Sequence, residues 1–384
     1  MLFNICNCIA PSTLADGASH LCGGGAGFVT AMMAALAAHN RTQPAKTLKG
    51  DVPVVDRLAV RVVTDNVVIQ FVPPETHDGF SIERLNGNTK PDKPPRTALQ
   101  GEWGLAMHCE SRRGEETRQV MIDFGYTPEV LLNNMNILGV DPARFDAMVL
   151  SHGHYDHFGG MVGFLQAHGK ALKGKLPFYV GGEDTFCLRR NAGGQFGALD
   201  RKAILDTDLS LMMAAEPAVV ADHAFTTGRI GQTSFEKPLR ATSEIVGIFD
   251  GFGCFPDKMP AEKNTGDYIP DDFDHEIATN YLVKDKGLVV LTSCSHRGVI
   301  NTVHQAIKAS GVDKVHAVLG GFHIVPPLDD AYIRDTVAEF KKIDPDYLIV
   351  GHCTGDRFYD LARDALGDKV IHSAVGTRFV FSAA

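Results

Sequence analysis

Apolar positions along the chain fall into two periods. Short runs rich in Val, Ile and Leu occupy residues 58–69, 104–110, 119–124, 147–150, 178–180, 277–283, 288–292, 315–319 and 347–350. Four to seven apolar or alternating residues bounded by Gly, Asn, Asp or Lys are the pattern of strands. Thr64-Asp65-Asn66 breaks the first run, Arg112 to Glu116 turns a hairpin between 104–110 and 119–124, and Lys284-Asp285-Lys286-Gly287 turns another. Helical spacing appears elsewhere. Thr127-Pro128-Glu129 combines an N-cap, a first-turn proline and an acidic first turn, and the helix it opens runs to Leu138 and stops at Gly139. Further helices are predicted over 160–168, 299–310 (stopped by Gly311) and 330–343.

Strands alternating with helices define an α/β chain. Residues 73–95 carry Pro, Gly, Asn and charges without periodicity and are expected to form a surface loop. Residues 185–275 are the least periodic part, with brief strands near 218–221 and 245–249. A loop of that length does not stay structureless inside a compact domain, so it is expected to be a structured insertion forming a pocket wall. Residues 1–50 differ from the rest and are expected to be an N-terminal extension to a domain spanning 51–384. Their apolar run, 28–38, and Ala35-Leu36-Ala37 imitate an export leader, but no Lys or Arg precedes Arg41. The layout resembles a twin-arginine leader with Ser19-His20 in place of the arginine pair; a cytoplasmic protein is expected, with export as the alternative.

Composition narrows the class. Of 384 residues, 44% are hydrophobic and 22% charged, as in a globular protein with a substantial core. A formal charge of −9 argues against a nucleic-acid surface, which needs a basic footprint. No apolar run is long enough for a stable membrane span. Eight cysteines in a chain this long do not read as a disulfide framework. Cys109, Cys187 and Cys254 are expected to serve as small apolar residues, whereas Cys294 and Cys353 each lie within two positions of a histidine.

The chemistry is concentrated after short buried strands. His152-Gly153-His154-Tyr155-Asp156-His157 puts three histidines and an aspartate within six positions, directly after the run 147–150. His296, His323 and His352 each follow another such run. Imidazole and carboxylate are ligands for zinc, manganese or iron. His152 and His154, two apart in an extended turn, face one ion, and Asp156 and His157 face a second.

This pattern resembles the metal motif of the metallo-β-lactamase superfamily. Asp123 in Ile122-Asp123-Phe124-Gly125 resembles its upstream buried aspartate. Cys294-Ser295-His296-Arg297-Gly298, Gly320-Gly321-Phe322-His323 and His352-Cys353-Thr354-Gly355 resemble the subgroup of dihydropterin ribofuranosylaminobenzene phosphate synthases. The resemblance covers about residues 58–384 and implies a four-layer αββα sandwich with the metal site on the rim between two sheets. It implies one or two zinc ions, with manganese or iron as alternatives, held by His152, His154, Asp156, His157 and His352. The third histidine is assigned to His296, with His275 and Cys294 as alternatives. Asp123 and Cys294 are expected to support the ligands from behind. Asp156 is expected to orient an attacking hydroxide, and His323 to contact the substrate or move a proton. Arg297 is expected either to hold a substrate phosphate or to be a solvated arginine. The implied function is a hydrolase or transferase directing a metal-bound hydroxide at a phosphate- or ester-bearing small molecule, including a synthase-type reaction. An iron-containing redox or metal-sensing protein on the same fold is the alternative.

Overall fold

The computed structural model describes residues 42–77, 79–85 and 97–383. Most of the leader-like stretch therefore lies outside the described residues. Two sheets pack face to face. In the first, ten strands run in the order Gln43–Pro44, Ser210–Met213, Pro177–Val180, Ala147–Val149, Glu116–Ile122, Ala106–Arg113, Arg57–Thr64, Thr377–Ser382, Phe80–Arg84 and Glu75–His77. The second runs Val219–Val220, Ala224–Thr226, Thr279–Val283, Gly287–Thr292, Val315–Gly320, Tyr347–Val350 and Val370–His372, with Val54–Val55 beside Thr279–Val283.

Period-2 alternation places the two faces of each strand in different cores. Val60, Val62, Ile122 and Val149 meet Tyr281, Val289, Leu291 and Ile349 between the sheets. On the outer face of the first sheet, Met121, Met148 and Phe178 pack against Leu131 and Met135 of helix Pro128–Leu138 and Phe164 of helix Met161–His168. On the outer face of the second, Val290, Val318 and Leu348 meet helices Val299–Ser310, Asp330–Ile343 and Asp356–Leu366. Helix, sheet, sheet and helix make the four-layer αββα sandwich.

Strands Ala147–Val149, Gly287–Thr292, Val315–Gly320 and Tyr347–Val350 each pair in parallel with a neighbour. Their carboxyl ends carry the histidine loops, the position where open α/β sheets place their sites.

Several expectations are corrected. The segment 73–95 holds two strands, Glu75–His77 and Phe80–Arg84, while residues 86–96 lie outside the described ones. Residues before 51 already join the fold, because Gln43 and Pro44 pair with Met212 and Met213. The C-terminal strand Thr377–Ser382 and helix Asp356–Leu366 were not among the expected elements.

The segment 185–275 builds a four-stranded sheet, Gly194–Gly197, Leu188–Asn191, Ser243–Ile245 and Ile269–Pro270, and a small hairpin ending at Cys254. Cys187 and Cys254 are not merely small apolar residues. They form a disulfide across 67 positions, closing this segment on itself.

A crosslink of that span removes chain entropy from the unfolded state worth roughly 4.4 kcal/mol. The double substitution Cys187→Ala with Cys254→Ala is expected to lower the urea midpoint accordingly. Peptide mapping of unreduced protein should recover the two cysteines linked; free thiols at both positions would count against the pairing.

Candidate metal centre

Asp123 follows strand Glu116–Ile122 and is fully buried. Its Oδ1 accepts from the Ser151 amide at 2.7 Å, and its Oδ2 accepts from Ser151 Oγ and His157 Nδ1, both at 2.8 Å. Ser151 Oγ has one proton and gives it to Asp123, so at 2.9 Å it accepts from His152 Nδ1. Both His152 and His157 therefore carry their proton on Nδ1 and present Nε2 as a lone pair. One buried carboxylate sets two tautomers.

Two donor sets converge. His152, His154 and His296 form the first, and Asp156, His157, Cys294 and His352 the second; within each, the ligand atoms lie within 4.8 Å of one another. His152 Nε2 and His296 Nε2 are 3.2 Å apart. Burial and the surrounding imidazoles push His152 and His296 well below the usual histidine range, and burial takes His154 to about 3. These rings are neutral and ready to coordinate. Burial disfavours charge on Asp156, but nearby His157 and His352 outweigh it and hold the carboxyl well below the usual carboxylate range. His352 Nε2 has no hydrogen-bond partner and faces Asp156 Oδ2 at 3.4 Å. His352 is the exception among the rings: burial lowers it, but Cys353, Asp156 and Asp65 outweigh that and raise it to about 9, so it gives up a proton on binding an ion. Five imidazoles, one carboxylate and one thiol in two compact groups fit zinc or another first-row divalent ion.

The structure thus brings His152, His154, Asp156, His157, His296 and His352 together. His275 is placed differently: its Nδ1 faces Arg189 at 3.2 Å and Asp184 at 3.5 Å, among buried ion pairs behind the first donor set. Cys294 was expected to act from behind the ligands. Its sulfur instead lies 3.2 Å from His157 Nε2 and belongs to the second set itself. Cys353 Sγ is 3.4 Å from Cys294 Sγ. His323 lines the same cavity, with its ring 4.3 Å from that of His296 and its Nδ1 unpartnered. Arg297 is not a solvated arginine: it is buried, bonded to the Asp274 carboxylate and the Asp272 carbonyl, and outside the cavity lining.

Two further carboxylates were missed in the sequence. Asp65 Oδ1 accepts from the His352 amide at 2.9 Å, and Oδ2 from Ser373 Oγ at 3.1 Å. Glu276 accepts from the amides of His296 and Arg297, each at 2.8 Å. The only sequence signal was an acid beside a strand end, which is too common to single out.

A two-sheet αββα sandwich with two donor sets on its rim is the metallo-β-lactamase fold, and comparison with known proteins agrees. The model of the metallo-beta-lactamase superfamily matches residues 113–176. That stretch carries strand Glu116–Ile122, Asp123 and the first histidine loop. It is 27% identical over 261 residues to the 7,8-dihydropterin-6-methyl-4-(beta-D-ribofuranosyl)-aminobenzene-5'-phosphate synthase of Methanocaldococcus jannaschii, spanning 66% of this chain and 81% of that one. An uncharacterised protein of the same organism is 29% identical over 240 residues, spanning 62% of this chain and 80% of its own length. The crystal structure of a metal-dependent hydrolase of the beta-lactamase superfamily superposes with a TM-score of 0.60 at 18% identity, covering 84% of this chain and 98% of that one, which shows the shared fold.

Because Asp123 orients one ligand in each set, Asp123→Ala is expected to weaken both ions on the order of 10–100-fold. Asp65→Ala should weaken only the ion of the second set. Metal per chain after dialysis, with folding checked by circular dichroism, reads both; unchanged retention in Asp123→Ala would refute the assignment. In cobalt(II)-loaded protein, Cys294 coordination should give a sulfur-to-metal charge-transfer band in the near ultraviolet that Cys294→Ser removes.

Proposed function

We propose that the chain is a zinc-dependent hydrolase or transferase that breaks or transfers an ester-type bond, carboxylic or phosphoric, in a small molecule. The observation that carries this reading is the pair of donor sets at a cavity of about 340 Å³. That volume suits a small molecule rather than a polymer. His152, His154 and His296 would hold one ion and Asp156, His157, Cys294 and His352 the other. A bound divalent ion lowers the pKa of water toward about 7 and polarises the scissile bond.

The chain's own residues do the rest. Asp156, ionised and facing His352, orients the attacking oxygen. Thr242 Oγ1, 3.4 Å from His154 Nε2, and Phe273, stacked on His296 at 4.1 Å, hold the rings of the first set in place. His323 reaches the cavity with an unpartnered Nδ1 and passes a proton to the leaving group. The related archaeal synthase supports the transferase form of the reading, and the structurally similar hydrolase supports the hydrolytic form. Among the described residues no helix is long and apolar enough to cross a membrane. The Cys187–Cys254 disulfide favours folding in an oxidising compartment, and so the exported alternative.

Purified protein is expected to hold two zinc ions per chain and to turn over simple esters or phosphodiesters. His154→Ala should lose an ion together with activity. His323→Gln should keep both ions and lower kcat on the order of 10²-fold. Folded protein that takes up no metal would end the enzyme reading, and iron with a visible absorption band would transfer it to the redox alternative.

A further inference from the structure

Cys353 is a buried thiol that belongs to neither of the two donor sets. It follows strand Tyr347–Val350, and Cys294 follows strand Gly287–Thr292 of the same sheet, with strand Val315–Gly320 between them. A side chain on the loop after that middle strand would keep the two sulfurs apart. Gly321 leaves the gap open: a Cβ there would lie 2.7 Å from Cys353 Sγ and 2.3 Å from the Ser293 carbonyl oxygen. Its amide donates to that carbonyl at 3.1 Å, which draws the loops together. Cys353 Sγ thereby reaches Cys294 Sγ at 3.4 Å and the Cys294 carbonyl at 3.7 Å. The sulfurs stand roughly 1.4 Å beyond disulfide bonding distance, a gap of the size that side-chain torsions cover.

Both thiols are reachable. Cys294 and Cys353 line the cavity beside Asp156 and His323, so a small oxidant meets them without unfolding the chain. Cys109 lies instead in the core between the sheets, away from that cavity.

The place of Cys294 couples this pair to the metal centre. Its Sγ is 3.2 Å from His157 Nε2 and within 4.8 Å of the ligand atoms of Asp156 and His352. A sulfur bonded to Cys353 has no thiolate to offer an ion, which leaves the second set one carboxylate and two imidazoles. A sulfur that donates to an ion is in turn a poorer nucleophile. Binding and oxidation therefore oppose each other, and the opposition is reciprocal.

We infer that Cys294 and Cys353 form a reversible oxidation site: peroxide joins them in a disulfide, and that disulfide and an ion in the second donor set exclude each other. Cys353 Sγ attacks one oxygen of hydrogen peroxide and the O–O bond breaks. The thiol proton leaves with the departing hydroxide as water, and a sulfenic acid remains on Cys353. Cys294 Sγ then attacks that sulfur, the S–O bond breaks, and the hydroxyl leaves with the Cys294 proton as a second water. Two thiols lose two electrons and peroxide gains them. The inference rests on Cys294 belonging to the second donor set and does not depend on the reaction catalysed there. In the oxidising surroundings that the Cys187–Cys254 disulfide favours, the ion is what keeps the second pair open.

The test uses the full chain loaded with zinc, and reads metal release and peptide maps rather than turnover. Hydrogen peroxide is expected to release one of the two ions to a colorimetric chelator, with Cys294 and Cys353 recovered linked in equal proportion. Protein stripped of zinc beforehand should form the same link about tenfold faster. Reduction with a phosphine and addition of zinc should restore the second ion, the wholly buried Cys187–Cys254 link persisting on the map. Cys353→Ser should bind two ions when untreated and keep both at peroxide concentrations that empty the second set of native protein. Release of the ion with the two cysteines unlinked would overturn the oxidation site. A linked pair that retains both ions would overturn the exclusion. Loss of the ion from Cys353→Ser at the same peroxide concentration as from native protein would overturn the part given to Cys353. Untreated native protein that binds no second ion would remove the donor-set assignment and this inference together, leaving the chemistry of the first set untouched.

Discussion

Three buried carboxylates that bond to amides rather than to cations hold the site together. Asp123 grips the amide before His152, Glu276 grips the amides of His296 and Arg297, and Asp65 grips the amide of His352. Burial raises Asp65 and lifts Glu276 to about 7, and the amides fixed by the sheets offset only part of that cost while giving the bonds their direction. Asp65 has the longest reach. It ends strand Arg57–Thr64 of the first sheet and holds the loop after strand Tyr347–Val350 of the second, so one carboxylate sets the spacing of the two sheets at the rim. Gly351 makes the approach possible, because a Cβ there would lie 2.6 Å from Asp65 Oδ2.

The same loops concentrate backbone strain. Asp123, Ser295, His323 and His352 all have positive φ, between 47° and 60°, with no glycine to ease them. Each such residue costs of order 1 kcal/mol and persists only where its surroundings overdetermine it. The carboxylate clamps supply that overdetermination for Asp123 and His352, and the hydrogen bonds of Ser295 Oγ to Thr292 Oγ1 and the Gly321 carbonyl supply it for Ser295. Rings held this tightly meet an ion with little reorganisation, which is what a centre of imidazoles needs.

Much of this was legible in the sequence, because local patterns carry it. The histidine loops follow short apolar runs, and the parallel strands of an α/β sheet place such loops along one edge whatever their order. That is why His152, His296 and His352, far apart in sequence, were recognisable as one site. Long-range partners were not legible. Nothing in the segments containing Cys187 and Cys254 says that they meet, since each sits in an ordinary apolar context. The strand Thr377–Ser382 fills the middle of the first sheet, yet its neighbours are Arg57–Thr64 and Phe80–Arg84, near the other end of the described chain. Cys294 differs again: the sequence left it between a ligand and a support, and the fold places its sulfur within 4.8 Å of the ligand atoms of Asp156, His157 and His352.

The 185–275 segment shows how distant sequence shapes the centre. Arg189 is wholly buried, bonded to Asp271, Glu244 and the carbonyls of Asp184, Thr185 and Cys187. It presses against Gly153, where a Cβ would stand 2.6 Å from its guanidinium nitrogen and 2.5 Å from the Thr185 carbonyl oxygen. The glycine between His152 and His154 is thus required by the ionic core behind it as well as by the turn. Stacking a charged network against the metal loop costs desolvation, which the paired acids offset. It also has an electrostatic consequence. With Arg189, Lys263 and Arg297 paired to neighbouring carboxylates, ions held by the two donor sets would face the cavity without competition from these buried cations.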